Sequence, residues 1–232
     1  MTKRHIKRLA MPATWPIKRR GIKYTTRPFP ASHGIGLSIP LKLVIRDMLE
    51  LAQTSKEVQH ILKNKNILVD GKRREELKFS MGLMDVLECK DIQSYHRMIL
   101  DSKGKLNVIP IDKKEGKSKI CKIVGKTKIK GATQINLHDG KNIAVQKDSY
   151  KVGDSLLITV PDASIKEHFA FKKGAYVLLT SGKHAGDTGT IEDMKADKVI
   201  FKNQDGKVSE TLKTYIFVVG DGKPSMTVQI EK

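Results

Sequence analysis

The stretch NKNILVDGKRR spans residues Asn64–Arg74 of this 232-residue chain. It determines the local fold of that region. The apolar run Ile67–Val69 has the composition of a short buried strand. Asp70-Gly71 comes next, and such a dipeptide favours a two-residue turn between antiparallel strands because both positions tolerate a positive φ. Since Lys72, Arg73 and Arg74 follow at once, the sequence predicts a hairpin with a basic turn.

Two helices are predicted before this hairpin, and one strand after it. In SIPLKLVIRDMLELA (38–52), apolar residues recur every three or four positions from Leu41 to Ala52, which builds one apolar helix face. Thr54 and Glu57 have capping-box spacing and predict the start of a second helix. Beyond the hairpin, GLMDVLEC (82–89) predicts a closing strand over Met84–Cys89.

Helix, helix, strand, basic turn and strand, in this order over about residues 41–90, resemble the S4-type RNA-binding domain. The most telling residues are NILVDGKRR and GLMDVLEC. The resemblance implies a small helix–hairpin module whose basic surface fits structured RNA. The positions of this chain that match that surface are Lys42, Arg46, Lys65, Lys72, Arg73 and Arg74. The alternative is a solvated face on a small helical domain, where Glu75 and Glu76 pair with some of these bases.

Residues 1–40 form a basic segment with nine Lys and Arg, no acid and five of the chain's eight prolines. Because each proline fixes φ and removes a hydrogen-bond donor, we predict an extended arm that is ordered mainly by what it binds. The prolines also argue against the amphipathic helix of a mitochondrial transit peptide. Trp15 either stacks on a base or anchors the arm on the protein's own body, and His33 either supports a turn of the arm or contacts a phosphate. The predicted phosphate contacts of the arm are Lys3, Arg4, Lys7, Arg8, Lys18, Arg19, Arg20, Lys23 and Arg27.

The overall charge favours a polyanionic partner. The chain has 44 Lys and Arg against 25 Asp and Glu, a formal net charge of +19, which is typical of nucleic-acid-binding proteins. Aromatic residues make up only 5% of the chain, so base stacking is not the main binding contribution. All nine Arg lie at or before Arg97. Since Arg grips phosphate bidentately, we expect the geometrically specific contacts in this first part, unless the later Lys reflect a compositional bias.

Beyond Asp91 the apolar period changes to two, and short strands separated by glycine turns predict a Lys-rich antiparallel barrel over about residues 91–173. Lys126, Lys128 and Lys130 alternate with other residues, so on a strand their ammonium groups share one face. That face is a candidate phosphate-binding surface. Alternatively, these lysines keep an edge strand soluble.

The last part of the chain, about residues 174–220, is predicted to be a second small barrel. A strand, the loop SGKHAGDTG (181–189) and a further strand resemble a KOW motif. The resemblance implies an SH3-like barrel whose loop contacts RNA or protein through Gly182, Lys183, His184, Gly186 and Gly189, with Lys183 and His184 exposed. Because residues 174–232 carry no net charge, few phosphate contacts are expected here, and a purely structural loop is the alternative.

Motifs for catalysis or metal binding are not found in the sequence. Cys89 and Cys121 form no CxxC pair, the seven His form no HxxxH or HExxH, and no phosphate-binding loop or GxSxG elbow is present. We therefore expect no cofactor, no metal, no small-molecule substrate and no membrane span. Two other functions remain open at this point. One is an RNA-modifying enzyme with an S4-type domain, such as a pseudouridine synthase, and the other is a transcription elongation factor with a KOW unit.

As a whole, the chain resembles the archaeal–eukaryotic small-subunit ribosomal protein S4e family. The most specific stretches are KRLAMPATWPIKRR (7–20), RPFPASHG (27–34), SIPLKLVIRDMLELA, NKNILVDGKRR, GLMDVLEC and SGKHAGDTGTI (181–191). Ala31 stands where the family usually has glycine, and the chain ends at Lys232 without the longer eukaryotic tail, which favours an archaeal-type member. The resemblance implies a non-catalytic constituent of the cytoplasmic ribosome that binds and stabilises small-subunit ribosomal RNA beside neighbouring ribosomal proteins.

The predicted fold class is α+β and multidomain. It comprises an extended basic arm (1–40), an S4-type module (41–90), a central Lys-rich β-barrel (91–173), a KOW or SH3-like barrel (174–220) and a short C-terminal tail (221–232).

Overall fold

The structure of the chain is a computed structural model that describes residues 5–129, 131–146, 148–195, 197–204 and 206–228. It is mostly β-structure with little helix. The chain divides into two compact units. The first contains the described residues up to Ile99 together with Lys105–Lys117, and the second contains Leu100–Gly104 together with the described residues from Ser118 onward. No helix in the described part of the chain is long and apolar enough to cross a membrane.

The first unit contains nine of the described strands and both α-helices. In chain order its elements are β1 (His5–Lys7), β2 (Tyr24–Thr26), β3 (Ser38–Pro40), α1 (Leu41–Leu43), a π-helical turn (Val44–Met48), α2 (Ser55–Asn64), β4 (Ile67–Val69), β5 (Lys72–Arg73), β6 (Ser80–Gly82), β7 (Val86–Cys89), β8 (Ser94–Leu100) and β9 (Leu106–Ile111). One five-stranded sheet has the order β5-β4-β7-β8-β9, and β1 pairs with β2 and β3 with β6. Strands β8 and β9, predicted to begin the central barrel, thus extend the sheet that starts with the hairpin.

The hairpin and the second helix form for the local reasons given by the sequence. Leu68 pairs with Arg73 and Val69 with Lys72, and Asp70 and Gly71 take φ values of 51° and 70°, as a two-residue turn requires. At the start of α2, the Thr54 hydroxyl accepts a hydrogen bond from the Glu57 backbone N–H, and the Glu57 carboxylate accepts one from the Thr54 backbone N–H. This capping box satisfies two donors that the first turn would leave free.

The first predicted helix is shorter than its apolar pattern indicated. The backbone N–H of Leu49 donates to the carbonyl of Val44 at 2.9 Å, five residues back, so the helix widens into a π-turn. It ends at Glu50, which has a φ of 53°. The sequence alone gives Leu41–Ala52 as one regular helix because spacing reports which face is apolar and not how many residues close each turn.

The N-terminal basic segment is packed within the first unit, so the prediction that it is ordered mainly by what it binds is wrong. Strands β1 and β2 pair within the segment, Met11 and Trp15 are buried, and the backbone N–H of Leu106 donates to the carbonyl of Thr14 at 2.7 Å. Prolines prevent a long helix or central strand, as expected. They do not prevent single apolar side chains from docking on a neighbouring core.

The second unit is built from antiparallel strands. Its elements are β10 (Ser118–Ile129), β11 (Ala132–Leu137), β12 (Asn142–Val145), β13 (Ser155–Thr159), β14 (Ile165–Phe169), β15 (Ala175–Leu179), β16 (Thr188–Met194), β17 (Lys198–Asn203), β18 (Val208–Leu212) and β19 (Ile216–Asp221). They form two five-stranded sheets, with the orders β12-β11-β10-β13-β14 and β18-β17-β16-β15-β19. The first sheet encloses a core of Cys121, Ile123, Ile135, Leu137, Leu156 and Ile158.

Strand β10 belongs to both halves of its sheet. Its first part pairs with β13 and its second part with β11, and the register shifts between Ile123 and Gly125. A shift of this kind bends and twists the strand. The side chains before the bend therefore turn into the core, whereas most of those after it are exposed.

Candidate nucleic-acid interface

The N-terminal segment exposes several Lys and Arg side chains. Its backbone is held partly by its own arginines, because Arg8 donates to the carbonyl of Lys18 at 2.9 Å and Arg19 donates to the carbonyls of Leu9 and Met11 at 3.2 and 3.3 Å. Among the described residues 5–40, none of the exposed bases forms an ion pair with a carboxylate. These bases are Lys7, Lys18, Arg19, Arg20, Lys23 and Arg27.

Two predicted RNA contacts of the segment are instead internal anchors. Trp15 is 1% exposed, and its Nε1 donates to the carbonyl of Ser38 at 2.7 Å, so the indole has no face available for a base. His33 is buried, with Nε2 at 3.0 Å from Oδ1 of Asp85, so it holds the segment and does not reach a phosphate. The prediction of both as RNA-contacting side chains is corrected for this reason. For Trp15 the structure shows the anchor that was the alternative, whereas His33 pairs with a residue that is distant in sequence.

The bases of the predicted S4-type module differ in how far they are neutralised. Arg46 pairs with Asp47 at 2.9 Å and Arg73 with Glu75 at 3.1 Å. Lys65 and Lys72 are exposed. The structure thus contains part of the solvated, self-paired face that was the alternative for this region, beside two cations that are open to a partner.

The remaining two bases of the module are partly covered. The Arg74 guanidinium lies 4.4 Å from the centre of the Phe79 ring, a cation–π contact that orients it. Burial, and then the neighbouring Arg46 guanidinium, lowers the pKa of Lys42. Both effects disfavour the ammonium and outweigh the opposing attraction of Asp47, so an approaching phosphate would stabilise Lys42 in its charged form.

The Lys-rich strand β10 is divided between core and surface. Lys128 is exposed and Lys126, on the same side of the strand, forms an ion pair with Asp148. Lys119, before the bend, is fully buried against Asp139 at 2.9 Å. Lys122 donates to the carbonyls of Thr214 and Ile216, and burial lowers its pKa to about 8. Some of the lysines in this strand are therefore structural.

The buried pair of Lys119 and Asp139 also changes the pKa of the Asp139 carboxyl group. Burial would raise the pKa of Asp139, but the ammonium of Lys119, with further help from His138 and Lys141, overcomes this and holds the pKa at about 2. Cys121 donates to the same carboxylate at 3.5 Å. A buried ionic pair of this kind is strongly destabilising when one partner is removed, so these groups hold the sheet and are not candidates for RNA contact.

The glycines of residues 181–189, which run from the loop after β15 into the start of β16, are explained by local packing and backbone conformation. Gly186 has a φ of 91°, and a Cβ there would lie 1.8 Å from the carbonyl oxygen of Asp101. A Cβ on Gly189 would lie 2.1 Å from the carbonyl oxygen of Lys202. Gly182, with a φ of 87°, approaches the Tyr215 ring. Only glycine fits the first two approaches, and at Gly182 it is the positive φ that favours glycine.

Of the two loop side chains expected to be exposed, one is. Lys183 is exposed, whereas His184 is half-buried with Nδ1 at 3.3 Å from Oδ2 of Asp187. Its ring also packs edge-on against Phe201, with the ring centres 5.9 Å apart. His184 is thus partly tied to its own loop.

Three predicted RNA-binding positions, Lys3, Arg4 and Lys130, lie outside the described residues. Conversely, the sequence reasoning missed the outward face of β1–β2, where His5 and Tyr24 form an aromatic pair with ring centres 4.5 Å apart. The alternation His5-Ile6-Lys7 could have indicated it, but the prolines nearby favoured an arm without strands.

No metal site or disulfide is found in the part of the chain that the structure describes. No group of three or more His, Cys, Asp or Glu there is arranged to hold a metal ion. Cys89 and Cys121 are buried and form no disulfide, and burial raises the pKa of the Cys89 thiol. The feature of this surface that can bind a ligand is the set of exposed Lys and Arg side chains on the packed N-terminal segment.

Comparisons with known proteins bear on the whole chain. Residues 92–165 match the model of the ribosomal family S4e, and residues 2–35 match that of the RS4NT (NUC023) domain. The small ribosomal subunit protein eS4 of Methanocaldococcus jannaschii is 41% identical, over 96% of each chain. The protein of the same name from Methanococcus maripaludis strain C6 is 38% identical, over 97% of this chain and 98% of the relative.

A solved structure shows the same relationship. The crystal structure of the 30S ribosomal protein S4e from Thermoplasma acidophilum superposes with a TM-score of 0.70 at 33% identity, covering 80% of this chain and 96% of that one. Sequence identity of this level across almost the full length, with the same fold, leaves one assignment: the chain belongs to the S4e family of ribosomal proteins.

Proposed function

We propose that this S4e-family chain is a structural constituent of the small ribosomal subunit that binds and stabilises small-subunit ribosomal RNA, next to neighbouring ribosomal proteins. The observation that carries the proposal is the N-terminal segment. In its described part, residues 5–40, the exposed bases form no ion pair with a carboxylate, and the backbone is packed within the first unit. A charged group left without a counter-charge on a fixed backbone is ready for phosphate. The proposal requires neither a cofactor nor a catalytic residue.

The alternatives raised by the sequence receive no support from the relatives. An RNA-modifying enzyme or a transcription elongation factor would share only one module with this chain, whereas the relatives named above match it almost from end to end as small ribosomal subunit proteins. A family of structural ribosomal proteins agrees with the expectation of no catalysis.

The finer architecture is part of the same proposal. We assign residues 41–90 as an S4-type module, in which Lys65 and Lys72 add RNA contacts. We assign the sheet formed by β10–β14 (118–169) as a Lys-rich barrel that presents Lys128, because β8 and β9 belong to the sheet of the first unit. We also assign 174–220 as a KOW barrel, whose role is mainly structural because its loop glycines are explained by close packing.

Salt dependence of binding tests the proposal. The six exposed bases in the described part of the segment contribute roughly −4 to −5 to the slope of log K against log salt, at about 0.7–0.9 per phosphate contact. The measurement is the affinity of the full chain for purified small-subunit RNA over a series of salt concentrations. A slope near zero would contradict the proposal.

A matched pair of variants locates the contacts. Arg20→Gln and Lys207→Gln each remove one exposed cation, but only Arg20 belongs to the basic segment. We expect Arg20→Gln to make the slope shallower by about 0.7–0.9, while Lys207→Gln leaves it unchanged. Equal effects of the two variants would show that the attraction is diffuse and not centred on the segment.

A further inference from the structure

The pair of strands β1 and β2 has two unlike faces. In its register, His5 opposes Thr26 and Lys7 opposes Tyr24, so His5, Lys7 and Tyr24 share one face, because alternate strand residues point the same way. Thr25, on the other face, is buried. The inner face of this strand pair therefore packs against the rest of the first unit. The outer face carries an aromatic pair beside cations.

The Tyr24 ring is available to a ligand. It is 43% exposed, and the His5 ring meets it at 66°, with the ring centres 4.5 Å apart. The Lys23 ammonium lies 5.4 Å from its centre. Lys23 is itself exposed, so the group that contacts the ring is in solvent. An exposed cation–π contact is also weaker than stacking of a base on an aromatic ring, so a base would displace the ammonium.

We propose that Tyr24, braced by His5, is a stacking platform for one unpaired nucleobase of the small-subunit RNA, and that Lys7 and Lys23 bind the phosphates on either side of that base. This inference rests on the proposed function and adds a base contact to the phosphate contacts already described. Stacked aromatic rings flanked by cations are the usual way in which proteins hold unpaired RNA bases.

The surroundings favour RNA over a protein partner. The first acid of the chain is Asp47. The charged side chains that the sequence segment containing β1 and β2 offers to a binding partner are therefore all positive. The platform is also fixed before binding, because β1 and β2 are paired and their inner face is buried. A rigid aromatic ring with little conformational freedom to lose suits a stacking contact.

Stacking and charge are separated by their salt dependence. Tyr24→Ile removes the π-face but keeps a good strand former, whereas Tyr24→Phe keeps the π-face and removes only the hydroxyl. We expect Tyr24→Ile to weaken binding of the full chain to small-subunit RNA by about tenfold, with an unchanged salt slope. Tyr24→Phe should stay within about twofold of wild type. Lys23→Gln should instead make the slope shallower by about 0.7–0.9.

Each outcome either supports or overturns the stacking platform at Tyr24. Wild-type affinity of Tyr24→Ile overturns the platform while leaving the proposed function intact. An equal loss in Tyr24→Phe also overturns it, since the hydroxyl and not the ring would then make the contact. If Tyr24→Ile melts well below wild type, ultraviolet cross-linking of the wild-type chain to the RNA replaces it. A nucleobase cross-linked to Tyr24 supports the platform, and cross-links that miss Tyr24 refute it. Failure of the proposed function itself would appear as wild-type binding without salt dependence.

Discussion

Trp15 offers the sharpest test of how the basic segment is held, because it is the only tryptophan of the chain. The indole is 1% exposed and its Nε1 donates to the carbonyl of Ser38 at 2.7 Å. Replacing a buried Trp by Ala typically costs about 3–5 kcal/mol through lost contacts and a cavity. Trp15→Phe keeps most of the apolar volume but removes the donor, and leaving a buried carbonyl without it costs about 1–3 kcal/mol.

These energies translate into measurable shifts. A loss of 1 kcal/mol lowers the melting temperature by about 2–4 °C for a chain of this size, so we expect a drop of roughly 10 °C for Trp15→Ala and roughly 5 °C for Trp15→Phe. Circular dichroism on the two variants and wild type provides the measurement. Because the segment also loses its anchor, the affinity for small-subunit RNA should fall in the same order.

Fluorescence of the wild-type protein decides between anchoring and base stacking. A buried indole emits at short wavelength, resists quenching by iodide, and keeps its intensity when RNA is added. A base stacked on the ring would quench the emission in step with binding. Saturable quenching by RNA, together with unchanged melting of Trp15→Phe, would refute the assignment of Trp15 as an internal anchor.

Three further predictions concern stability, and thermal or acid unfolding followed by circular dichroism checks each. Asp139→Asn leaves the buried Lys119 ammonium without this carboxylate and should cost about 3–5 kcal/mol. Since the pKa of Asp139 falls from 3.8 to about 2 on folding, its contribution is complete above about pH 4 and is lost as pH falls toward 2. A wild-type stability that is flat across that window would contradict this. Gly186→Ala places a Cβ 1.8 Å from a carbonyl oxygen at a φ of 91° and should cost about 2 kcal/mol or more. Thr54→Ala removes the capping box of α2 and should cost about 1 kcal/mol, whereas Thr54→Ser should be near neutral.

The sequence predicts those parts of the fold whose causes are local. The capping box at Thr54, the turn at Asp70-Gly71 and the closing strand after the hairpin all depend on residues within a few positions of one another, and all three are present, the strand over Val86–Cys89. Their physical basis, hydrogen bonds of a helix end, tolerated φ and alternation of side chains, is contained in the sequence itself.

The candidate site was harder to predict because its decisive partners are distant in sequence. His33 pairs with Asp85 and Trp15 with Ser38, and neither partner could be chosen from spacing alone. Similarly, Lys126 and Lys128 alternate along β10, yet Lys126 is paired with Asp148 and Lys128 is exposed, while Lys119, before the bend, is buried. A pattern shows that side chains share a face, and only the packing shows what that face meets.

The docked state of the basic segment changes the free energy of RNA binding as well as the fold. A disordered polycation would lose roughly 1–2 kcal/mol of backbone freedom for each residue that it orders on RNA. Here, strand pairing and the Trp15 anchor have fixed the backbone beforehand, so binding orders mainly the exposed side chains, at about 0.5–1.5 kcal/mol each. On the proposed function, the core of the first unit would thereby support affinity that its surface charges alone would not provide. This is why variants at Trp15, which touches no phosphate, are expected to weaken RNA binding.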